Sequence, residues 1–217
     1  PNLYCYHFHC NISNENDNSI NSAISIIKQL KQLIKLNEFR ELVIPNILRG
    51  LFNGCVYFVM SIGITRLSLP PIYSSYLVFG NMISVTFSNI VFGAFIDKYG
   101  AGSICFIGNI ITAFSLLGLA LTSNNMIFVL LNFFLAFGQN FTDQGVPVGV
   151  YRIVPGKIIG GYTGGRFLLM TGGTAISTFI IGNLLDKINV LPIFMFVSLI
   201  QILAGYLFKR GFVQFTY

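Results

Sequence analysis

Charge is what this sequence has least of. Only 9% of its 217 residues are Asp, Glu, Lys or Arg, while 54% are hydrophobic. A soluble domain carries about 25% charged residues. Mean hydropathy is +0.73. A domain of this size keeps roughly a third of its unfolded-chain surface exposed after folding, so that much apolar surface has no stable place in water. The scarcity excludes an ordinary soluble enzyme and a disordered chain. Despite the net charge of +6, it also excludes a nucleic-acid binder. The class that remains is an integral membrane protein.

Other absences narrow the function. The only two histidines, His7 and His9, lie outside every apolar run. Asp143 is the one acid well inside a run, with no acidic partner there. An intramembrane hydrolase built on Ser/His, His/Glu or paired Asp therefore cannot be assembled, and no enzyme is expected. No G-K-[ST] follows the glycine-rich stretch around residue 161, so a P-loop and ATP-driven transport are not expected. No charged ring marks a channel pore. There is no signal peptide, and Pro1 stands first, so the chain is expected to be part of a longer one. Cys5, Cys10, Cys55 and Cys105 form no paired framework and read as free thiols. Cys5-Tyr6-His7-Phe8-His9-Cys10 is spaced too tightly for a zinc pattern. No metal and no cofactor are expected.

What is present is apolar length. A bilayer core of about 30 Å takes roughly 20 helical residues. Six runs qualify, at 43–65, 72–95, 103–122, 126–150, 162–184 and 190–208. Their β-branched and Phe-rich composition would suit strands, but a barrel strand is only about ten residues long. The expected fold is an all-α integral membrane bundle of six transmembrane helices. Residues 42–210 form this bundle, after a tail at 1–21 and a basic amphipathic helix at 22–41, and before a cytoplasmic tail at 211–217. In the amphipathic segment Ile24, Ile27 and Leu30 recur at helical spacing and Lys28, Lys31 and Lys35 share another face. Such a helix can lie on an anionic leaflet.

Lys and Arg set the orientation. Eleven of them, including Arg40, Arg49, Lys98, Arg152, Lys157, Arg166 and Lys209, fall on the side of both termini, and only Arg66 and Lys187 on the other. Both termini are expected in the cytoplasm, with the protein in the plasma membrane and the lipid bilayer as its first partner.

The second run ends Gly93-Ala94-Phe95-Ile96-Asp97-Lys98 and the fifth ends Gly182-Asn183-Leu184-Leu185-Asp186-Lys187, 89 residues later. The same shift lays the first run on the fourth and the third on the sixth. Two three-helix repeats of opposite orientation follow, an arrangement of secondary transporters, whose substrate sites lie between repeats. Residues 93–100 resemble the loop motif G-x-x-x-D-[RK]-x-G-[RK] of the major facilitator superfamily, with Ala101 where a basic residue is usual. The resemblance covers about residues 22–210. It implies the C-terminal half of a twelve-helix transporter, in which Gly93, Asp97, Lys98 and Gly100 form the conformational loop motif and Asp97 caps or pairs with a neighbouring helix end. The missing N-terminal half, or a second copy, would be the protein partner. The alternatives are an inactive truncated protein and a self-assembling half.

Polar residues inside spans are costly and mark pathways. Gln139, Asn140, Asp143 and Gln144 cluster in the fourth run, where offsets of four align Gln139 with Asp143 and Asn140 with Gln144. An isolated carboxylate at Asp143 can exchange a proton, or meet a cation or a basic substrate. Its structural alternative is a wetted residue or one bonded to Arg166. Asn53 and Tyr57 line the same cavity in the repeat register, or bond between helices. Asn81, Ser84, Ser88, Asn109 and Thr112 read as packing residues. Arg166 is expected to extend to the headgroups, with an anion-binding charge or a gate as its functional alternative. Gly172-Gly173 should bring backbones together, and Gly145-Val146-Pro147 should kink the fourth helix. The function expected is secondary active transport of a small polar solute by alternating access, coupled to protons through Asp143.

Overall fold

The computed structural model describes residues 37–153, 159–185 and 190–214, and all regular structure within them is α-helical. Helix α1 is Asn37–Arg66, α2 is Pro71–Leu121, α3 is Asn125–Ile153, α4 is Ile159–Leu185 and α5 is Val190–Gln214. All five are long and apolar enough to cross a membrane, the composition of an integral membrane protein. Helix wins over strand because hydrocarbon offers the backbone no water, and a helix satisfies its own N–H and C=O groups. Hydroxyls inside the bundle, buried or half-buried, do likewise within their own helix. Thr112 Oγ1 donates to Gly108 O at 2.8 Å and Thr174 Oγ1 to Met170 O at 2.9 Å.

The runs expected at 72–95 and 103–122 are two arms of α2, a single element of 51 residues. Drawn straight, it would extend about 76 Å, far more than a bilayer. It is interrupted at Gly100, with φ 76° and ψ 159°, a conformation that essentially only glycine adopts. The expected polar break 97–100 thus shrinks to one residue. Pro70-Pro71 starts α2, where a missing N–H costs nothing. Asn124 caps α3, its Oδ1 accepting from Met126 N at 2.9 Å and Ile127 N at 3.2 Å.

The expected boundaries shift at both ends. Helix α1 already begins at Asn37, and α5 continues to Gln214. Residues 211–214 are therefore not a tail: Phe212 is buried in an apolar cluster with Leu42, Val146 and Val150. The tail at 1–21, the amphipathic segment up to residue 36, Lys157, Asp186-Lys187 and residues 215–217 lie outside the described residues.

Helix α1 packs on α4, α3 packs on α2, and α5 packs on both α1 and α2. Two glycine pairs allow the closest approaches. A Cβ on Gly173 would stand 2.8 Å from Ile47 O, and one on Gly108 would stand 2.7 Å from Gly138 O. Two apolar clusters fill the ends of the bundle. One gathers Phe52, Leu116, Phe128, Leu135 and Phe194. The other gathers Leu42, Val146, Tyr162, Phe208 and Phe212. Buried polar residues, among them Asn46, Arg49, Asn109 and Thr142, lie along the helices between these groups.

Candidate functional site

Asn46 and Arg49 are one turn apart on α1 and so share a face. Asn46 Nδ2 donates back to Leu42 O at 2.6 Å, while its Oδ1 accepts from Arg166 Nε of α4 at 3.1 Å. Arg49 reaches α3 instead. Its Nη2 is 2.6 Å from Asp143 Oδ1 and donates to Gln139 O at 3.2 Å. Polar contacts therefore run from α4 through α1 to α3. Counted from Glu41, where the spanning part of α1 starts, Arg49 sits about 12 Å in. Arg166 sits about 10 Å into α4, and Asp143 about 15 Å before the end of α3. Pro147 lacks the N–H that would bond the carbonyl of Asp143, its fourth residue back, and α3 runs on through it to Ile153.

Charge in this cluster is unevenly covered. The Arg49 side chain is 1% exposed and that of Asp143 is 51% exposed, so one partner is locked inside and the other faces open space. Among the described residues, Arg49 Nε and Nη1 are buried without a hydrogen-bond partner, as is Asn140 Nδ2. Arg166 lies within electrostatic reach of Arg49, Asp143, Cys105 and Tyr162. Two guanidiniums meet one carboxylate. Asp143 is thus not the isolated acid that its sequence neighbourhood implies, because Arg49 pairs with it. Nor is Arg166 its hydrogen-bonded partner or simply extended toward the headgroups, since its Nε is held by Asn46.

The remaining expected residues divide. Gln144 Nε2 bonds Asn89 Oδ1 of α2, so the polar face of α3 splits between α1 and α2. Asn53 is half-buried on α1 and makes no hydrogen bond among the described residues. Tyr57 follows one turn later, its side chain outside the described residues. Asn132 Nδ2 bonds Asn81 Oδ1 at 3.2 Å, Ser84 Oγ bonds Phe133 O at 2.9 Å, and Asn109 Nδ2 bonds Thr142 Oγ1 at 3.1 Å. These are α2–α3 packing contacts. In the loop motif, Asp97 stands 3.8 Å from Arg152 in the last turn of α3, both well exposed. Lys98 Nζ lies 5.2 Å from the centre of the Tyr99 ring. Gly93 has open space around it, and Gly100 forms the break. A cavity of about 310 Å³ beside this motif is lined by Gly100, Ser103, Arg152 and Phe212. Among the described residues no group of His, Cys, Asp and Glu could hold a metal.

Arg49, Asn46 and Asn89 escaped the sequence reading. Arg49 is one of the basic residues that set orientation, yet it stands six residues inside the run 43–65. That depth, with Asn46 three residues earlier, is the available signal. Asn89 carries no comparable mark. Among known proteins, no family model matches the chain and no curated protein is significantly similar to it.

Proposed function

We propose that this chain is a six-crossing half of a secondary active transporter of the major facilitator type, moving a small polar solute across the cell membrane by alternating access. The observation that carries the proposal is the Arg49–Asp143 ion pair at 2.6 Å, set within helices of spanning length. Ionised groups there cost several kcal/mol and are concentrated on solute and proton paths. For stability alone, apolar side chains would often serve as well as a buried pair.

The six crossings count the two arms of α2 separately, with Gly100 between them. Their inverted relation is supported by the 89-residue offset. Ser88 Oγ bonds Val85 O and Ser177 Oγ bonds Thr174 O, the same motif 89 positions apart. Buried Ser84, Ser88 and Phe92 of the first arm correspond to buried Gly173, Ser177 and Ile181 of α4. Helix packing follows suit: α1 on α4 exchanges with α3 on the first arm of α2. In this arrangement the basic side carries the termini and faces the cytoplasm. A second six-helix body, an N-terminal half or another copy, closes the cavity over Asp143. Asp143 takes up and releases a proton as Arg49 alternately releases and holds it. Asp97 and Arg152 steady one conformation at the cytoplasmic end.

The test is uptake by proteoliposomes containing the chain, alone and with co-expressed six-helix partners, under an imposed pH gradient. Asp143→Asn should abolish uptake or make it independent of the gradient. Unchanged uptake and pH response would rule out this role.

A further inference from the structure

Of the two guanidiniums in the cluster, only one has a carboxylate. Arg49 holds Asp143, while Arg166 Nε donates to the neutral side chain of Asn46, its one hydrogen bond among the described residues. No acid among the described residues pairs with Arg166. Beside it, Arg49 has two further nitrogens, Nε and Nη1, buried and without a hydrogen-bond partner among the described residues. A positive charge left over about 10 Å inside a spanning helix is expensive unless an opposite charge joins it. Asp143, within its electrostatic reach, is already held by Arg49, and the other neighbours carry no carboxylate: Asn46 is a buried amide, Tyr162 a buried phenol and Cys105 a buried free thiol. Arg166 is only partly buried, so a solute coming from the open side can reach it. A guanidinium presents a planar fork that fits the two oxygens of a carboxylate or phosphate.

We propose that Arg166, with the charge of Arg49 behind it, is the recognition residue for a small soluble oxyanion, a carboxylate or phosphate, that binds between α1 and α4. This rests on the transporter reading and names its substrate class. Asp143 is then the internal competitor. It neutralises Arg49 when the site is empty, and its protonation strengthens the hold on the anion. Anion and proton would thereby travel together.

The test is binding, which needs no transport. The full chain in phosphatidylcholine nanodiscs is titrated calorimetrically with succinate and with inorganic phosphate, at constant ionic strength in chloride. Choline and glucose serve as cationic and neutral controls. Saturable binding of succinate or phosphate, weakened about tenfold or more in Arg166→Gln, is the expected result. Asp143→Asn should move the affinity the other way, and tighter binding cannot come from misfolding. Binding of choline or glucose in preference, anion binding unchanged in Arg166→Gln, or looser anion binding in Asp143→Asn would overturn the proposal. Phosphatidylglycerol nanodiscs separate a lipid source. If the anionic lipid alone protects the chain from unfolding and neither soluble anion binds, the proposal falls. Anion binding without any uptake would remove the transporter reading and leave the site standing. Uptake of a neutral or cationic solute without anion binding would do the reverse.

Discussion

Replacing Asp143 by Asn and Arg49 by Met should have unequal costs, and the inequality follows from exposure. Asp143→Asn keeps shape but leaves Arg49, 1% exposed, with only Gln139 O as acceptor. Removing one member of a buried pair costs about 3–5 kcal/mol. Because the Asp143 side chain is 51% exposed, water already screens part of the attraction, so the lower end applies, about 3 kcal/mol. Arg49→Met preserves much of the buried stem and leaves a carboxylate that water can reach, at a cost of about 1 kcal/mol. The double variant removes both charges and should cost about 1 kcal/mol too, a coupling of about 3 kcal/mol. At roughly 2–4 °C per kcal/mol for a chain of this length, Asp143→Asn should lower Tm by about 6–12 °C, and the other two by about 2–4 °C. Cys55 and Cys105 are free and buried, so a thiol-reactive dye reports unfolding in a background carrying Cys5→Ser and Cys10→Ser. Equal losses in the two single variants, or a double variant as unstable as their sum, would refute the reasoning.

Neighbouring glycines offer a second test. Gly173→Ala should destabilise by about 1–3 kcal/mol through overpacking against α1, whereas Gly172→Ala, with nothing within 4 Å, should be neutral or slightly stabilising; the same melting assay distinguishes them. Gly100→Ala should cost about 1–3 kcal/mol, since its φ of 76° and ψ of 159° strain any side chain. Asp97→Asn should leave Tm nearly unchanged, because a 3.8 Å pair between exposed groups is worth little. Proteoliposome uptake in that variant should nevertheless slow, as the conformational role proposed for the loop motif requires.

Helical class was legible because length and hydropathy alone decide it, whereas the runs 72–95 and 103–122 join in one element. The run 126–150 lies inside α3, and 162–184 lies inside α4. Boundaries were less so. Residues 211–214 look like a polar-flanked tail after Lys209-Arg210, yet Phe212 has an apolar cluster to join, and the helix extends to reach it. In the site, Asp143 stood out as a lone acid, while Arg49 was hidden among charges of its own sign. Pairing across α1 and α3 is a tertiary fact, with the two partners 94 positions apart. Gln144 was placed with Asp143 by periodicity, but a side chain at the edge of a helical face can choose either neighbour, and here it turns to Asn89.

The most direct test of alternating access is cysteine accessibility at Gln139, which lies one turn from Asp143 on α3. In sealed vesicles holding the chain with a six-helix partner of the proposed kind, with Gln139→Cys in the Cys5→Ser, Cys10→Ser background, a membrane-impermeant thiol reagent is applied from each side in turn. Cys55 and Cys105 are buried and should stay unlabelled. Labelling should occur from one side at a time, with the favoured side switching when the pH gradient is reversed. Labelling from both sides at once, from neither side, or from one side whatever the gradient would contradict transport through this site.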